Sequence, residues 1–145
     1  MKISYVEVYN ELIKDLLSGK NNQLELREDG VKGVQVSGVL EIMTTNTEEI
    51  LSYILQGNNA RTKERTDANE ASSRSHAVLQ ITVEHKDKAT GMSAEIKIAK
   101  LSLIDLAGSE RASNTNNRGI RLVEGANINK SLLSLGNCIN ALCDY

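Results

Sequence analysis

The chain has 145 residues, 40% of them hydrophobic and 25% charged, which is typical of one folded domain or part of one. Its formal net charge of −2 argues against binding to nucleic acid or to a membrane surface through bulk positive charge. No apolar run reaches the length of a bilayer span, and the N-terminus lacks a signal-peptide pattern. The two cysteines, Cys138 and Cys143, exclude a disulfide framework and favour a reducing, cytoplasmic compartment.

The composition also lacks Pro, Phe and Trp, and the four aromatic side chains are all tyrosines. A self-sufficient core of this size usually contains several bulky aromatic residues. We therefore expect the chain to be part of a larger domain whose other residues complete its packing.

The first 60 residues predict a strand, a short helix, a hairpin and a longer helix. The opening KISYVEVY alternates polar and apolar residues, as a strand does. Asn10 is a suitable N-cap for a short helix over ELIKDLL. Glycines punctuate residues 24–42, which predict short strands in a hairpin or an irregular β segment. Asn46 and Glu49 form a capping-box pattern for a helix that we expect to stop at Gly57.

The remaining residues predict a loop, a second hairpin and a long helix. Residues 58–74 are polar and without periodicity, which predicts a loop. AVLQITVE and AEIKIAKLSLIDLAG predict two antiparallel strands, and the apolar run at Leu101–Ile104 predicts burial on both faces. In the last helix, apolar residues recur at spacings of four and three. Its predicted core face comprises Ile128, Leu132, Leu135, Ile139 and Leu142.

The segment LSLIDLAG places a carboxylate and a glycine where a strand ends. Asp105 could hold a water bound to magnesium, and the Gly108 amide could approach a phosphate oxygen because no Cβ intervenes. As a short pattern by itself, D-x-x-G is more often a strand-end carboxylate followed by a turn.

The octapeptide NEASSRSH, Asn69 to His76, groups serine hydroxyls around one arginine. Hydroxyls can bind a hard cation or a water, and a guanidinium can pair with a carboxylate or phosphate. A solvent-facing cluster that caps a helix explains the same residues equally well. His76 directly precedes an apolar strand, which favours a structural hydrogen-bonding role over a catalytic one.

The long helix has a polar face, and a basic stretch leads into it. Between Arg111 and Lys130 there are four basic residues and one acidic residue, Glu124. On charge alone, a solvated loop is a simpler interpretation than a surface for an acidic partner. Gly136 within the helix indicates close packing, because glycine there costs about 1 kcal/mol relative to alanine.

Taken together, three motifs resemble the second half of a kinesin motor domain: NEASSRSH, DLAGSE at Asp105–Glu110, and EGANINKSLLSLGNCINAL. The opening ISYVEVYNELIKDLL is similar to the preceding kinesin segment, so the resemblance covers essentially the whole chain. The sequence of residues 111–142 looks most like subfamily eight, whose members walk to microtubule plus ends. The resemblance implies an α/β fold of the P-loop NTPase type, with a central mixed β-sheet flanked by helices.

The resemblance also implies roles in binding Mg²⁺ and ATP. Residues 69–76 would be switch I, in which Asn69 contacts nucleotide, Ser73 coordinates Mg²⁺ and Ser72 positions the attacking water. In switch II, Asp105 would hold a magnesium-bound water and the Gly108 amide would sense the γ-phosphate.

A salt bridge between Arg74 and Glu110 would close that site, and Glu110 would accept a proton through a water relay. The following loop and helix resemble the microtubule-facing surface of kinesins. The resemblance therefore implies an acidic partner, tubulin, for the basic stretch, which the charge pattern alone did not require. The implied tubulin contacts are Arg111, Arg118, Arg121 and Lys130, with Lys32 as a weaker candidate.

No G-x-x-x-x-G-K-[ST] phosphate-binding loop occurs in residues 1–145. By resemblance, this loop and the N-terminal strands precede the segment seen here, while the final helices, the neck and a dimerising stalk follow it. The expected domain is therefore 1–145 as part of a motor, and the chain alone should lack ATPase activity.

Three functions are compatible with these residues. The first is a microtubule-stimulated ATPase that moves along microtubules or acts at their ends, in the cytoplasm and on cytoskeletal or spindle microtubules. The second is a non-enzymatic microtubule-binding module or inactive fragment. The third, a different nucleotide hydrolase that uses D-x-x-G, fits the octapeptide and the NINKSL helix poorly.

Overall fold

The computed structural model describes residues 1–20, 22–31, 33–63, 72–86, 96–109 and 120–143, with side chains except at 62–63, 72, 86 and 120–122. Within these ranges the chain forms strands and helices in the following order: β1 Lys2–Tyr9, β2 Leu12–Asp15, β3 Gln23–Asp29, β4 Gly33–Ser37, β5 Ile42–Met43, α1 Thr47–Lys63, a 3₁₀ turn Ser72–Arg74, β6 His76–Lys86, β7 Ile96–Asp105 and α2 Ile120–Cys143.

One sheet contains all the described strands, in the order β4-β3-β2-β1-β6-β7, and β5 also pairs with β1. The described ladders are antiparallel. The predicted α/β class is confirmed, as are the strand at the start of the chain, the paired strands of residues 24–42 and the β6–β7 hairpin.

Residues 12–15 form a strand, so the predicted short helix is wrong. Asn10 and Glu11 both have positive φ, 50° and 67°, and form the tight turn that pairs Tyr9 with Leu12. Asparagine tolerates this conformation, so the residue expected to cap a helix turns a hairpin instead. Pairing with β1 outweighs the weak helical preference of a short segment.

The capping-box prediction for α1 is confirmed, but its predicted end is wrong. Asn46 Oδ1 accepts a hydrogen bond from the Glu49 amide at 2.8 Å. The helix continues past Gly57 to Lys63, so it occupies the first residues of the predicted loop. Gly57 instead permits close packing, because a Cβ there would overlap the Tyr5 ring of β1.

The buried core lies between α1 and the neighbouring strands β1 and β6. Its members are Ile3, Tyr5, Leu16, Leu17, Ile50, Ala77 and Leu79. By contrast, β7 is the last strand in the sheet order and all its residues are exposed, so the predicted burial on both faces is not found.

The second half of α2 is also exposed. The exposed fractions of Leu135, Ile139 and Leu142 are 39%, 51% and 78%, which contradicts their predicted core placement. No described atom lies within 4 Å of a Cβ built at Gly136, so the close packing predicted there is also not found. No helix in the described ranges is long and apolar enough to cross a membrane.

Candidate functional site

The site lies where β6 begins and β7 ends. Because these neighbouring strands are antiparallel, with Ala77 opposite Asp105, the 3₁₀ turn before β6 and the loop after β7 meet at one edge of the sheet. The Gly108 amide donates a 2.7 Å hydrogen bond to the Ser73 carbonyl oxygen. Thus the two predicted motifs, separated by about thirty residues of sequence, are joined by one backbone hydrogen bond.

Arg61, in the last turns of α1, forms an ion pair with Asp105 next to this junction. Its Nη1 lies 2.6 Å from Asp105 Oδ2, its Nε donates to Ser75 Oγ at 3.1 Å, and its Nη2 donates to the Ser75 carbonyl oxygen at 2.8 Å. The side chain of Arg61 is only 7% exposed. The carboxylate of Glu7 is also buried, and its Oε1 lies 3.8 Å from Arg61 Nε.

Sequence reasoning missed Arg61 and Glu7. A basic residue near the end of a helix is ordinarily explained by the helix dipole, and a glutamate in an alternating strand by a solvated face. Only burial distinguishes them, because a buried carboxylate requires a nearby cation. A glutamate inside a strand that is otherwise rich in core residues was the one available signal.

Arg74 connects the 3₁₀ turn to α2. Its Nη1 lies 3.3 Å from Glu124 Oε2, and the two side chains are 24% and 12% exposed. The other carboxylate oxygen of Glu124 accepts a hydrogen bond from the Tyr9 hydroxyl at the end of β1. The predicted partner of Arg74, Glu110, lies outside the described residues, and sequence reasoning did not identify Glu124 as a partner.

His76, the first residue of β6, contacts both the loop after β7 and α2. The Ala107 amide donates to His76 Nδ1 at 3.1 Å, and His76 Nε2 lies 2.9 Å from Ser131 Oγ. Burial, and next the positive charge of Arg61, lower the pKa of His76 below its usual 6.5. The predicted structural hydrogen-bonding role of this histidine is confirmed.

Four predicted site residues therefore lie together: Ser73, Arg74, Asp105 and Gly108. Of the others, Ser72 and Arg121 have a described backbone only, and Lys130 is exposed on α2. Outside the described residues lie Asn69, Glu110, Arg111, Arg118 and Lys32.

The donor set fits a magnesium–phosphate group in chemistry. Ser73 and Asp105 provide hard oxygen ligands, and the Gly108 amide provides a donor for a phosphate oxygen. In this structure the Asp105 carboxylate is paired with Arg61 and the Gly108 amide with Ser73, so binding would exchange these contacts. Among the described residues no cluster of three His, Cys, Asp or Glu could hold a metal by itself.

Two loops thus meet at adjacent strand ends of an α/β fold, and the first of them contacts the long helix α2 through Arg74. The kinesin motor domain family model matches residues 1–145, and the chain belongs to this family.

The chain is similar to several named kinesins. It is 53% identical over 142 residues to KIF19 of Xenopus laevis, 55% over 148 residues to kinesin-like protein 5 of Schizosaccharomyces pombe and 56% over 142 residues to KIF18B of Gallus gallus. These alignments cover 98 to 99% of this chain and 14 to 18% of the relatives, so the chain spans less than a fifth of their length. KIF19 and KIF18 belong to kinesin subfamily eight, which agrees with the predicted subfamily.

Two solved structures share the fold. A KIF14 dimer in its two-heads-bound state, with AMP-PNP and in complex with a microtubule, matches with a TM-score of 0.84 at 38% identity. A fast kinesin matches with a TM-score of 0.83 at 43% identity. Each covers 99% of this chain, which corresponds to 42% and 40% of those chains.

Proposed function

We propose that residues 1–145 are the switch and track-binding part of a microtubule motor that couples ATP hydrolysis to movement along microtubules or to action at their ends. The observation that carries this proposal is the hydrogen bond between Gly108 and Ser73. It joins the two motif-bearing loops, and Arg74 joins the same turn to α2. A change at the junction of the loops therefore has a direct route to the helix proposed to face tubulin.

The proposed ligand is ATP with Mg²⁺. When bound, the metal neutralises phosphate charge and orients the transferred group. Ser73 and Asp105 would hold Mg²⁺, the latter through a water, and Asn69 would contact the nucleotide. The Gly108 amide would leave the Ser73 carbonyl oxygen to meet the γ-phosphate. Arg61 is placed to hold Asp105 whenever the magnesium site does not.

The proposed catalytic residues are Ser72, Arg74 and Glu110. Ser72 would position the attacking water, and Glu110 would accept its proton through a relay. Arg74 would pair with Glu110 to close the site. Because Arg74 contacts Glu124 in this structure, we propose that it exchanges one carboxylate for the other as the site closes.

The proposed microtubule contacts are the basic residues Arg111, Arg118, Arg121 and Lys130, with Lys32 in the β3–β4 connection as a further one. Tubulin presents an acidic surface, so each contact should weaken as salt rises. We further propose a dimeric full-length protein in the cytoplasm, on cytoskeletal and spindle microtubules.

The activity is tested by phosphate release from the full-length protein, with and without microtubules. Glu110→Ala should abolish microtubule-stimulated turnover. The matched control is Glu84→Ala, because Glu84 pairs with Lys2 at 2.9 Å at the other end of β6 and should leave turnover unchanged. Full turnover in Glu110→Ala would contradict the assigned catalytic role.

The 145-residue chain, which carries no G-x-x-x-x-G-K-[ST] loop, should release no phosphate by itself. Phosphate release from this chain that is abolished by Glu110→Ala would refute that expectation.

Microtubule binding is tested by co-sedimentation of the full-length protein. The combined variant Arg118→Ala and Arg121→Ala should bind microtubules more weakly, and Lys97→Ala is the control that should bind unchanged. Binding without turnover would favour a non-enzymatic module.

A further inference from the structure

A single imidazole contacts two elements that are expected to move. His76 accepts the Ala107 amide at 3.1 Å on Nδ1 and contacts Ser131 Oγ at 2.9 Å on Nε2. Ala107 precedes Gly108, whose amide carries the proposed phosphate contact, and Ser131 lies in the middle of α2. Within the described residues, one side chain therefore contacts both the loop and the helix.

The hydrogen-bond network permits only one form of that side chain. A backbone amide can only donate, so Nδ1 must carry a lone pair, and in a neutral imidazole the proton then resides on Nε2. Nε2–H donates to Ser131 Oγ, whose own hydroxyl proton is used by the Ile128 carbonyl oxygen at 2.8 Å. In the series of hydrogen bonds that runs from the Ala107 amide to the Ile128 carbonyl oxygen of α2, every donor then has one acceptor. A protonated ring would place two N–H groups against each other at Ala107.

We propose that His76, as the neutral Nε2–H tautomer, is a positioning residue that couples the loop after β7 to α2. The proposal rests on the proposed function for its consequence, because the coupling would carry nucleotide state from Gly108 to the track-facing helix. A purely structural histidine could be replaced by a side chain that keeps only one of the two hydrogen bonds. In this proposal the same ring must make both hydrogen bonds.

The tautomer is tested first, in the full-length protein and without nucleotide or microtubules. Nitrogen-15 NMR of the imidazole should show a bare Nδ1 and a protonated Nε2 at pH 7.5. The opposite tautomer, or an imidazolium at that pH, would overturn the proposal. This measurement is independent of ATPase activity, so its failure is distinct from a failure of the proposed function.

The coupling is then tested in the full-length protein by the ratio of microtubule-stimulated to basal phosphate release. Asn places an oxygen near the position of Nδ1 and Gln places an amide nitrogen near that of Nε2. His76→Asn therefore retains an acceptor for Ala107, and His76→Gln retains a donor to Ser131. With both links required, each variant should lower the ratio about fivefold or more. Full rescue by either one would show that a single link suffices and would overturn the proposal.

Ser131→Ala provides a second route to the same result, should the His76 variants fail to fold. It should lower the ratio by a similar factor, and combining it with His76→Asn should lower the ratio no further. Ser134→Ala is the matched control, because Ser134 Oγ also donates to a backbone carbonyl of α2, that of Lys130, at 3.0 Å. Additive effects of His76→Asn and Ser131→Ala would overturn the proposal, as would an equal effect of Ser134→Ala.

Discussion

The helices α1 and α2 are attached to the same sheet by different kinds of contact. α1 packs Ile50 into the apolar core and places Gly57 directly against the Tyr5 ring. The described polar contacts between α2 and other elements lie in the first half of the helix, at Glu124, Asn127 and Ser131. The apolar residues of its second half are exposed.

This difference separates a fixed element from a movable one. An apolar interface loses transfer free energy and leaves a cavity when it opens, which favours one packed arrangement. A hydrogen bond or partly exposed ion pair can be exchanged for water or for another partner at a small net cost. We therefore expect α1 to act as a scaffold that holds Arg61, and α2 to exchange its contacts more easily than α1.

The largest expected effect comes from removing the cation that α1 buries. Arg61→Ala should lower the free energy of unfolding by about 3–5 kcal/mol, because it leaves the buried Glu7 carboxylate without its nearby positive charge. Adding Glu7→Gln should recover part of this loss. The measurement is urea unfolding of the 145-residue chain, followed by circular dichroism.

Arg74→Ala is the matched control on the α2 side. Its ion pair with Glu124 is less buried, so the loss should be about 1–2 kcal/mol. Equal losses for the two arginines would contradict the distinction between scaffold and movable helix.

An intermediate effect, of opposite sign in the two helices, is expected from glycine to alanine substitutions. Gly57→Ala should destabilise the chain by about 1–3 kcal/mol, because the added methyl group overlaps Tyr5. Gly136→Ala should stabilise it by about 0.5–1 kcal/mol, because alanine favours the helix and the described structure leaves that position open. The same unfolding measurement applies, and a destabilising Gly136→Ala would indicate a packed α2 surface.

The smallest expected effect is a pH dependence at the α2 junction. Burial and Arg61 lower the pKa of His76, although the charges of Asp105 and Glu11 oppose them. The unfolded chain therefore takes up the proton first as pH falls below 6.5, and the contribution of neutral His76 to stability is lost as pH passes through the lowered folded-state pKa. Above pH 6.5 that contribution is fully present.

Unfolding measured at pH 7.5 and 5.5 tests this expectation. His76→Gln should reduce the loss of stability between the two values. An unaltered loss in His76→Gln would show that the acid sensitivity arises from other groups.

Much of the site could be predicted from local sequence. The D-x-x-G pattern and the octapeptide made Ser73, Arg74 and Gly108 candidates, the resemblance to kinesins implied their roles, and the antiparallel hairpin explained why they meet. The partners Arg61, Glu7 and Glu124 could not be predicted, because charge pairs distant in sequence follow no local period.

The amino-acid sequence by itself determined the strands other than β2, the capped start of α1, the long α2 and the kinesin family, because these depend on periodicity, caps and ordered motifs within short windows. Only the tertiary structure decided that Asn10 turns a hairpin, that Gly57 lies inside a helix and that His76 bridges a loop and α2. The first outcome depends on the pairing of β2 with β1, and the other two depend on contacts with residues distant in sequence. Strand pairing and burial determine these contacts, and neither of them is a property of a short segment.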